Sequence, residues 1–512
     1  MIIPIRILLC LIFFAFSPAA QAQLRLLLPP VSSPATMYAA FAPLAAYLGK
    51  ATGETVTLHF SANLDSFYAE AKMPVAQITF FCPIAYIKVA HEDRYFPLAE
   101  VIPTPGGNRS VILVRRDSPI HNVLQLRGSS FVSGDPACAA SSLIPLTLLQ
   151  EAGLTPKDFH VFRQTGSDQT ALMDVAARFY DATAVAENVA APYLRAGTLR
   201  VIGQAPVGPG DLLATSGKVP APLRAKLTTA LLAATRNAPA AMTALAGMVR
   251  GFQPVQDGDY AVLRTLYADL FGVALTPKRN SMAMSFAIPP TYTPMAAYQI
   301  FAPLREALAR AIGLPVRLVI PANEQDFVRE GRRGDYDFSL LTPAMVAAEQ
   351  RTMIPLARSL PNPDAQRIAI IAREPVSRAA QALRPPLRVA YAGPYCSARG
   401  AALPALHSRE QGAPRPFTWK AVGSERAVFT SVADGSTDLG VVRAATFSSL
   451  DQALPGAWTV LMTVGTAAPW SFAVNRHLSP AQRQALLQAM LHLAPNALSG
   501  AGFARFIPIP HE

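Results

Sequence analysis

Moved along itself by 260 residues, the chain meets a second copy of its own pattern. The segment PPVSSPATMYAAFAPLAAYLGKATGETVTLHFSANLDSFYAE falls on PPTYTPMAAYQIFAPLREALARAIGLPVRLVIPANEQDFVRE, with 17 of 42 positions identical. Roughly three matches would arise by chance. Phe41-Ala42-Pro43-Leu44 meets Phe301-Ala302-Pro303-Leu304, and Ala62-Asn63 meets Ala322-Asn323. With small gaps the echo continues: FFCPIAY on LLTPAMV, GSSFVSGDPACAASSLIP on PLRVAYAGPYCSARGAALP, and QTGSDQTALMDVAARFYDATAV on AVGSERAVFTSVADGSTDLGVV. A fold that tolerates such doubling is a unit used twice, so the chain is read as a tandem duplication. The first domain is expected over 24–275 and the second over 282–512, with a linker at 276–281 where Pro, Lys, Arg and Asn interrupt the apolar pattern.

Within each copy, short β-rich runs alternate with helical periods. LRLLLP, TVTLHF, QITFF, VILVRR, FVSG, ATAVA and LRVIG read as strands, and MYAAFAPLAAYLGKATG reads as a helix ending at Gly49 or Gly53. Alternation of this kind predicts an α/β fold. Near 111–120 and 205–215 the chain is expected to leave one lobe and return.

The N-terminus carries one basic residue, the apolar run ILLCLIFFAF and an Ala20-Gln21-Ala22 site, the pattern of a signal peptide over residues 1–22. Cys10 lies too early for a lipoprotein cleavage site, so the expectation is a periplasmic protein released without a lipid anchor. The net charge of +12 is scattered rather than clustered, which argues against nucleic acid as a partner. The histidines show no metal-ligand spacing, and no metal or cofactor is expected. Three cysteines, Cys82, Cys138 and Cys396, lie beyond the signal peptide. Cys138 and Cys396, at matching positions, are reactive or redox-linked, or Cys82 and Cys138 form a disulfide, or all are buried thiols inherited by duplication.

Together, the FAPLAAYLGKATG helix, the CPIAY loop, VRRDSPIHNVLQLRGSSF, the DPACAASSLIP turn and GFQPVQDGDYAVL make each half resemble the periplasmic phosphate/phosphite/phosphonate-binding proteins of ABC transporters. The resemblance covers nearly all of the chain, twice, and implies two type II periplasmic-binding folds, each a two-lobed clamp around a small oxyanion. It implies a phosphonate-like ligand and a partner that is an ABC permease or, alternatively, a membrane sensor.

Family members hold the oxyanion with a Ser-Thr-Ser-Gly run at a helix start, where hydroxyls, backbone N–H groups and the helix dipole favour negative charge. Here the matching run is Cys138, Ala139, Ala140, Ser141, followed by Ser142, while the second half has Cys396, Ser397, Ala398, Arg399, Gly400. Half one is therefore expected to be retuned or vestigial, and Ser397, Arg399 and Ser424 make half two the better candidate. Ser167 and Asp168 stand where the family has Gly-Ser-His, with Glu425 the counterpart of Asp168; both acids are either ligand groups or helix-start residues. Tyr86 is a cleft-lining candidate whose partner is Val346, and Thr342 occupies the position of Cys82. Asp181 and Asp438, each before a strand, complete the candidate set. An enzyme is not expected: no G-x-S-x-G elbow occurs, and no histidine lies in a segment assigned to a cleft.

Overall fold

A computed structural model describes residues 23–92, 95–275, 283–292, 294–362, 367–410 and 417–509. The expected signal peptide and linker lie outside the described residues. Two compact units emerge. Of the described residues, one comprises those up to Phe81 with Glu92–Thr104 and Asp211–Val255; the other comprises Cys82–His91, Pro105–Gly210 and those from Gln256 onward.

The first unit is built on a six-stranded sheet in the order Val249–Gln253, Tyr95–Pro103, Leu212–Ser216, Gln77–Phe81, Gln23–Leu28, Thr55–Phe60. The last three strands run parallel to one another, and Leu212–Ser216 pairs antiparallel with both Gln77–Phe81 and Tyr95–Pro103. Helix Pro34–Thr52 buries Met37, Phe41, Leu44 and Leu48 at i, i+3, i+4 spacing, and together with Leu26, Leu28 and Ile78 these residues form the core. Ser33 caps its N-terminus, and Gly53, at φ +81°, ends it with an N–H donated to the Gly49 carbonyl. A side chain at Gly53 would be strained there, which explains why the helix stops at the second of its two candidate glycines.

The second unit holds three sheets. The five-stranded sheet of half one orders Val161–Gln164, Ser130–Ser133, Ala182–Ala186, Arg109–Arg115, Leu199–Pro206. Half two repeats both patterns: Val316–Val319, Met284–Ala287, Phe338–Leu341, Ser471–Asn475, Met353–Pro361, Phe503–Pro508 in one sheet, and Thr418–Ala421, Arg388–Tyr391, Leu439–Arg443, Arg367–Arg373, Trp458–Thr466 in the other. Strand order and parallel or antiparallel sense agree sheet for sheet, so the duplication seen in the sequence is a duplication of topology. In half one the chain leaves its first sheet after Pro103, enters the second at Arg109, and returns between Pro206 and Leu212.

No described helix is long and apolar enough to cross a membrane. None of Cys82, Cys138 and Cys396 is disulfide-bonded, which excludes the Cys82–Cys138 bridge.

Candidate functional site

Both helix-start turns sit at the end of a strand in the parallel part of a mixed sheet, where the chain crosses over into a helix. In half one the turn follows Ser130–Ser133 and leads to helix Leu143–Glu151. Three N–H groups at its start already have acceptors. The Asp135 N–H donates to Asp168 Oδ1 (3.0 Å), the Ala137 N–H to Asp135 Oδ1 (2.8 Å), and the Cys138 N–H to the Asp135 carbonyl (3.2 Å). Gly134 makes room for this: a Cβ there would lie 2.0 Å from Asp168 Oδ1. Burial pushes the Asp135 carboxyl up to about 6 against the pull of the Ala137 N–H, with Asp168 adding to the rise. Burial also raises Asp168. Ser141 is fully buried beside Asp168, where its hydroxyl opposes the rise that burial causes. Ser142 donates to the Cys138 carbonyl at 2.7 Å, so its hydroxyl is turned back onto the turn itself.

In half two the corresponding turn, Gly393–Cys396, receives an acid from the opposite lobe. Glu324 stands at the start of helix Glu324–Arg333, which Asn323 caps. The Tyr395 N–H donates to Glu324 Oε2 at 3.1 Å, and a Cβ at Gly393 would lie 2.7 Å from the same oxygen. Two further bonds tie the lobes: the Glu324 N–H donates to the Gly423 carbonyl (2.9 Å), and Thr342 Oγ1 to the Tyr395 carbonyl (2.7 Å). The same Thr342 hydroxyl caps helix Pro343–Glu349 through the Met345 N–H. Burial drives the Glu324 carboxyl up to about 7, with Glu425 reinforcing it and the Tyr395 N–H opposing it. A cavity of about 290 Å³ opens beside this contact, lined by Asn323, Glu324, Gly393, Pro394, Val422 and Gly423.

Behind the turn lies a buried ion pair. Arg443 ends strand Leu439–Arg443 and is 2% exposed; its Nε lies 3.1 Å from Oε1 of Glu425, which is fully buried. The guanidinium carbon sits 5.0 Å from the Tyr292 ring centroid and 4.5 Å from that of Trp470, both on the other lobe. Aromatic faces stabilise a desolvated cation in this way. Nη1 and Nη2 are buried and close no hydrogen bond among the described residues. The Cys396 thiol lies 3.6 Å from Glu425 Oε1, and burial with the Glu425 and Glu324 charges pushes it well above its ordinary range. It is thus held as a neutral thiol, the poorly nucleophilic form.

The remaining candidates have partners within their own lobes. Ser167 and Ser424 cap helices Asp168–Ala176 and Glu425–Ala433. Asp181 accepts from the Ser130 N–H and hydroxyl (2.9 and 2.7 Å), and Asp438 from the N–H and guanidinium of Arg388. Ser397 accepts from the Ala468 N–H at 3.3 Å. Arg399 is exposed, its guanidinium 5.1 Å from the Tyr391 ring and 5.2 Å from the Trp419 ring. Tyr86 is fully buried, donates to Asp257 Oδ1 at 2.7 Å and packs on Tyr260; burial and then Asp257 push its hydroxyl well above the usual range.

The residues that the structure adds are Glu324 and Arg443. The repeat held a signal for both: the counterpart of Glu324 is Leu64 and that of Arg443 is Ala186. A charge at a strand end or helix start where the sister copy is apolar marks a difference between the two sites.

The sequence pattern of one family, described as the periplasmic substrate-binding protein of phosphonate ABC transporters, matches residues 26–260 and again 286–512. Among solved structures, the binding-protein component of a Pseudomonas aeruginosa phosphonate ABC transporter is 18% identical, with a TM-score of 0.43, covering 51% of this chain and 91% of its own. PhnD1 of Prochlorococcus marinus, solved with methylphosphonate, is 15% identical with a TM-score of 0.42, covering 49% and 100%. The periplasmic domain of Bordetella pertussis BvgS is 13% identical with a TM-score of 0.32, covering 94% and 89%.

Proposed function

As the chain belongs to the family of periplasmic substrate-binding proteins of phosphonate ABC transporters, we propose that it captures a small phosphonate-like oxyanion in the cleft of its second half and delivers it to an ABC permease. The observation that carries this reading is Arg443. A guanidinium held by Glu425 through Nε and by two aromatic faces presents Nη1 and Nη2 as fixed, desolvated donors. That fork matches two oxygens of a phosphonate better than any ammonium would. In this reading export follows cleavage of residues 1–22, and residues 276–281 join two binding domains.

Glu324 is the ligand's competitor, because its carboxylate holds the turn N–H that an oxyanion would take. A protonated Glu324 neither repels the anion nor binds the turn as strongly. Since its carboxyl titrates at about 7 in this cleft, affinity should rise as the pH falls through neutrality.

Calorimetric titration of the full chain with methylphosphonate, phosphite and phosphate tests the reading. Binding is expected near pH 6, weaker near pH 8, lost in Arg443→Met, and stronger and nearly pH-independent in Glu324→Gln. Silence from the folded wild type and from Glu324→Gln alike would remove the oxyanion assignment. A second reading, a sensor or adaptor module, is favoured by one specific observation: in both halves a turn N–H is bonded to one of the protein's own acids. Small-angle scattering separates the two, since a sensor of this kind keeps the same dimensions with and without phosphonate.

A further inference from the structure

Away from both turns, a cavity of about 630 Å³ lies where half one meets half two inside the second unit. Four helices supply most of its walls, Leu148 from Leu143–Glu151, Leu266 from Ala261–Phe271, Met295 and Ile300 from Pro294–Ile312, and Ala445 from Ala444–Ala453, and the end of strand Leu199–Pro206 closes it. Neither the turn Asp135–Ser142 nor the turn Gly393–Ser397 contributes to it. Its volume falls within the range of cavities that enclose small organic ligands, roughly 300–1,000 Å³.

The charges at its walls are already balanced. Glu151, 2% exposed, lies with Oε1 3.4 Å from Arg426 Nε, and the same arginine donates to Gln150 Oε1 at 3.0 Å. Arg109 pairs with Glu187 at 3.6 Å. Burial pushes the Glu151 carboxyl up to about 7 although Arg426 opposes it, and Arg426 keeps a second acid, Asp269, at 3.6 Å, so its charge is matched even where Glu151 holds a proton. An ionic guest would enter a largely aliphatic space with no free counter-charge, and desolvating it there is costly. A neutral guest faces no such penalty. Gln299 and Ser448, exposed among the lining residues, offer uncharged polar groups to its one polar end.

We propose that this inter-half cavity is a second ligand site, separate from both clefts, that takes a neutral, mainly apolar small molecule bearing a single hydrogen-bonding group. Ligands bridging two domains gain from both surfaces at once, and the walls here belong to both copies of the duplicated unit.

The test uses N-phenyl-1-naphthylamine, a neutral aromatic probe with one N–H whose fluorescence rises in apolar surroundings. The full chain is titrated alongside Ala445→Trp and Ser449→Trp, which place an indole into the cavity from partly exposed positions. One-to-one saturable binding is expected, weakened roughly tenfold or more in each variant that keeps the wild-type unfolding transition. The anionic anilinonaphthalene sulfonate should bind more weakly than the neutral probe. Unchanged binding in both folded variants would overturn the site, and preference for the anionic probe would overturn the ligand class.

Discussion

In each half the helix-start turn is filled by the protein's own carboxylate, but the acid comes from a different place. In half one Asp168, from the same lobe, accepts the Asp135 N–H, and Asp135 bonds within its own turn. In half two Glu324 reaches the turn from the opposite lobe, so the same contact that satisfies the turn also ties two lobes together. The strand end behind the turn differs too. Half one has Ala186, an apolar residue, whereas half two has Arg443 buried against Glu425 between Tyr292 and Trp470. Duplication preserved the backbone donors and let the groups facing them diverge. A turn satisfied from its own lobe leaves lobe closure independent of it; a turn satisfied across the cleft makes closure and occupancy one event.

Removing Arg443 should break the comparison most severely. Arg443→Met leaves Glu425 buried without a counter-charge, a loss of about 3–5 kcal/mol, read as a lowered urea midpoint. Adding Glu425→Gln to the same chain should recover most of it. The matching change in half one, Asp168→Asn, affects a partly buried group with no buried counter-charge to strand and should cost about 1 kcal/mol.

The paired glycines sharpen the contrast between a local and a cross-lobe acid. Gly134→Ala sets a methyl 2.0 Å from Asp168 Oδ1 and should destabilise by roughly 1–3 kcal/mol. No change in overall dimensions should accompany it, because the displaced acid is in the same lobe. Gly393→Ala sets a methyl 2.7 Å from Glu324 Oε2 and should loosen the lobes. A larger radius of gyration for Gly393→Ala alone, by small-angle scattering, is the expected result; expansion in Gly134→Ala as well would erase the distinction.

The smallest effect is in the pH dependence. Asp135 titrates at about 6 and Glu324 at about 7 in the folded chain, both above their unfolded values. A folded carboxyl that holds its proton while the unfolded one has lost it makes stability fall as pH rises. That fall should begin near the unfolded carboxyl values and level off above about pH 6 for Asp135 and about pH 7 for Glu324. Thermal melts from about pH 5 to pH 8 should show the decline, and Glu324→Gln should reduce its upper part, to which Glu151 and Glu349 also contribute. A melting temperature that rises over this interval would contradict the burial of these acids.

The parallel strands were legible because their apolar runs are short, continuous and bounded by turns, as in QITFF and ATAVA. Tyr95–Pro103 was not, since Pro97 and Pro103 argue against a strand; its pairing with Leu212–Ser216 shifts register beside Pro97. Val249–Gln253 has a glycine at its centre and gains strand character only by pairing with Tyr95–Pro103. At the site, the turns and their missing hydroxyls could be read directly. Serines at helix starts, such as Ser167 and Ser424, read equally well as ligand groups or caps until their N–H partners were known.

The sequence by itself determined the doubled α/β topology and the location of the two turns, because duplication and strand–helix periodicity are written in local order. Only the tertiary structure decided what fills those turns. Glu324 lies about seventy residues before Tyr395 on another lobe, and Arg443 takes its meaning from Tyr292 and Trp470, which are remote in the chain. Contacts of that kind form only when two lobes close, and burial, not residue type, then sets whether each acid carries a proton or a charge.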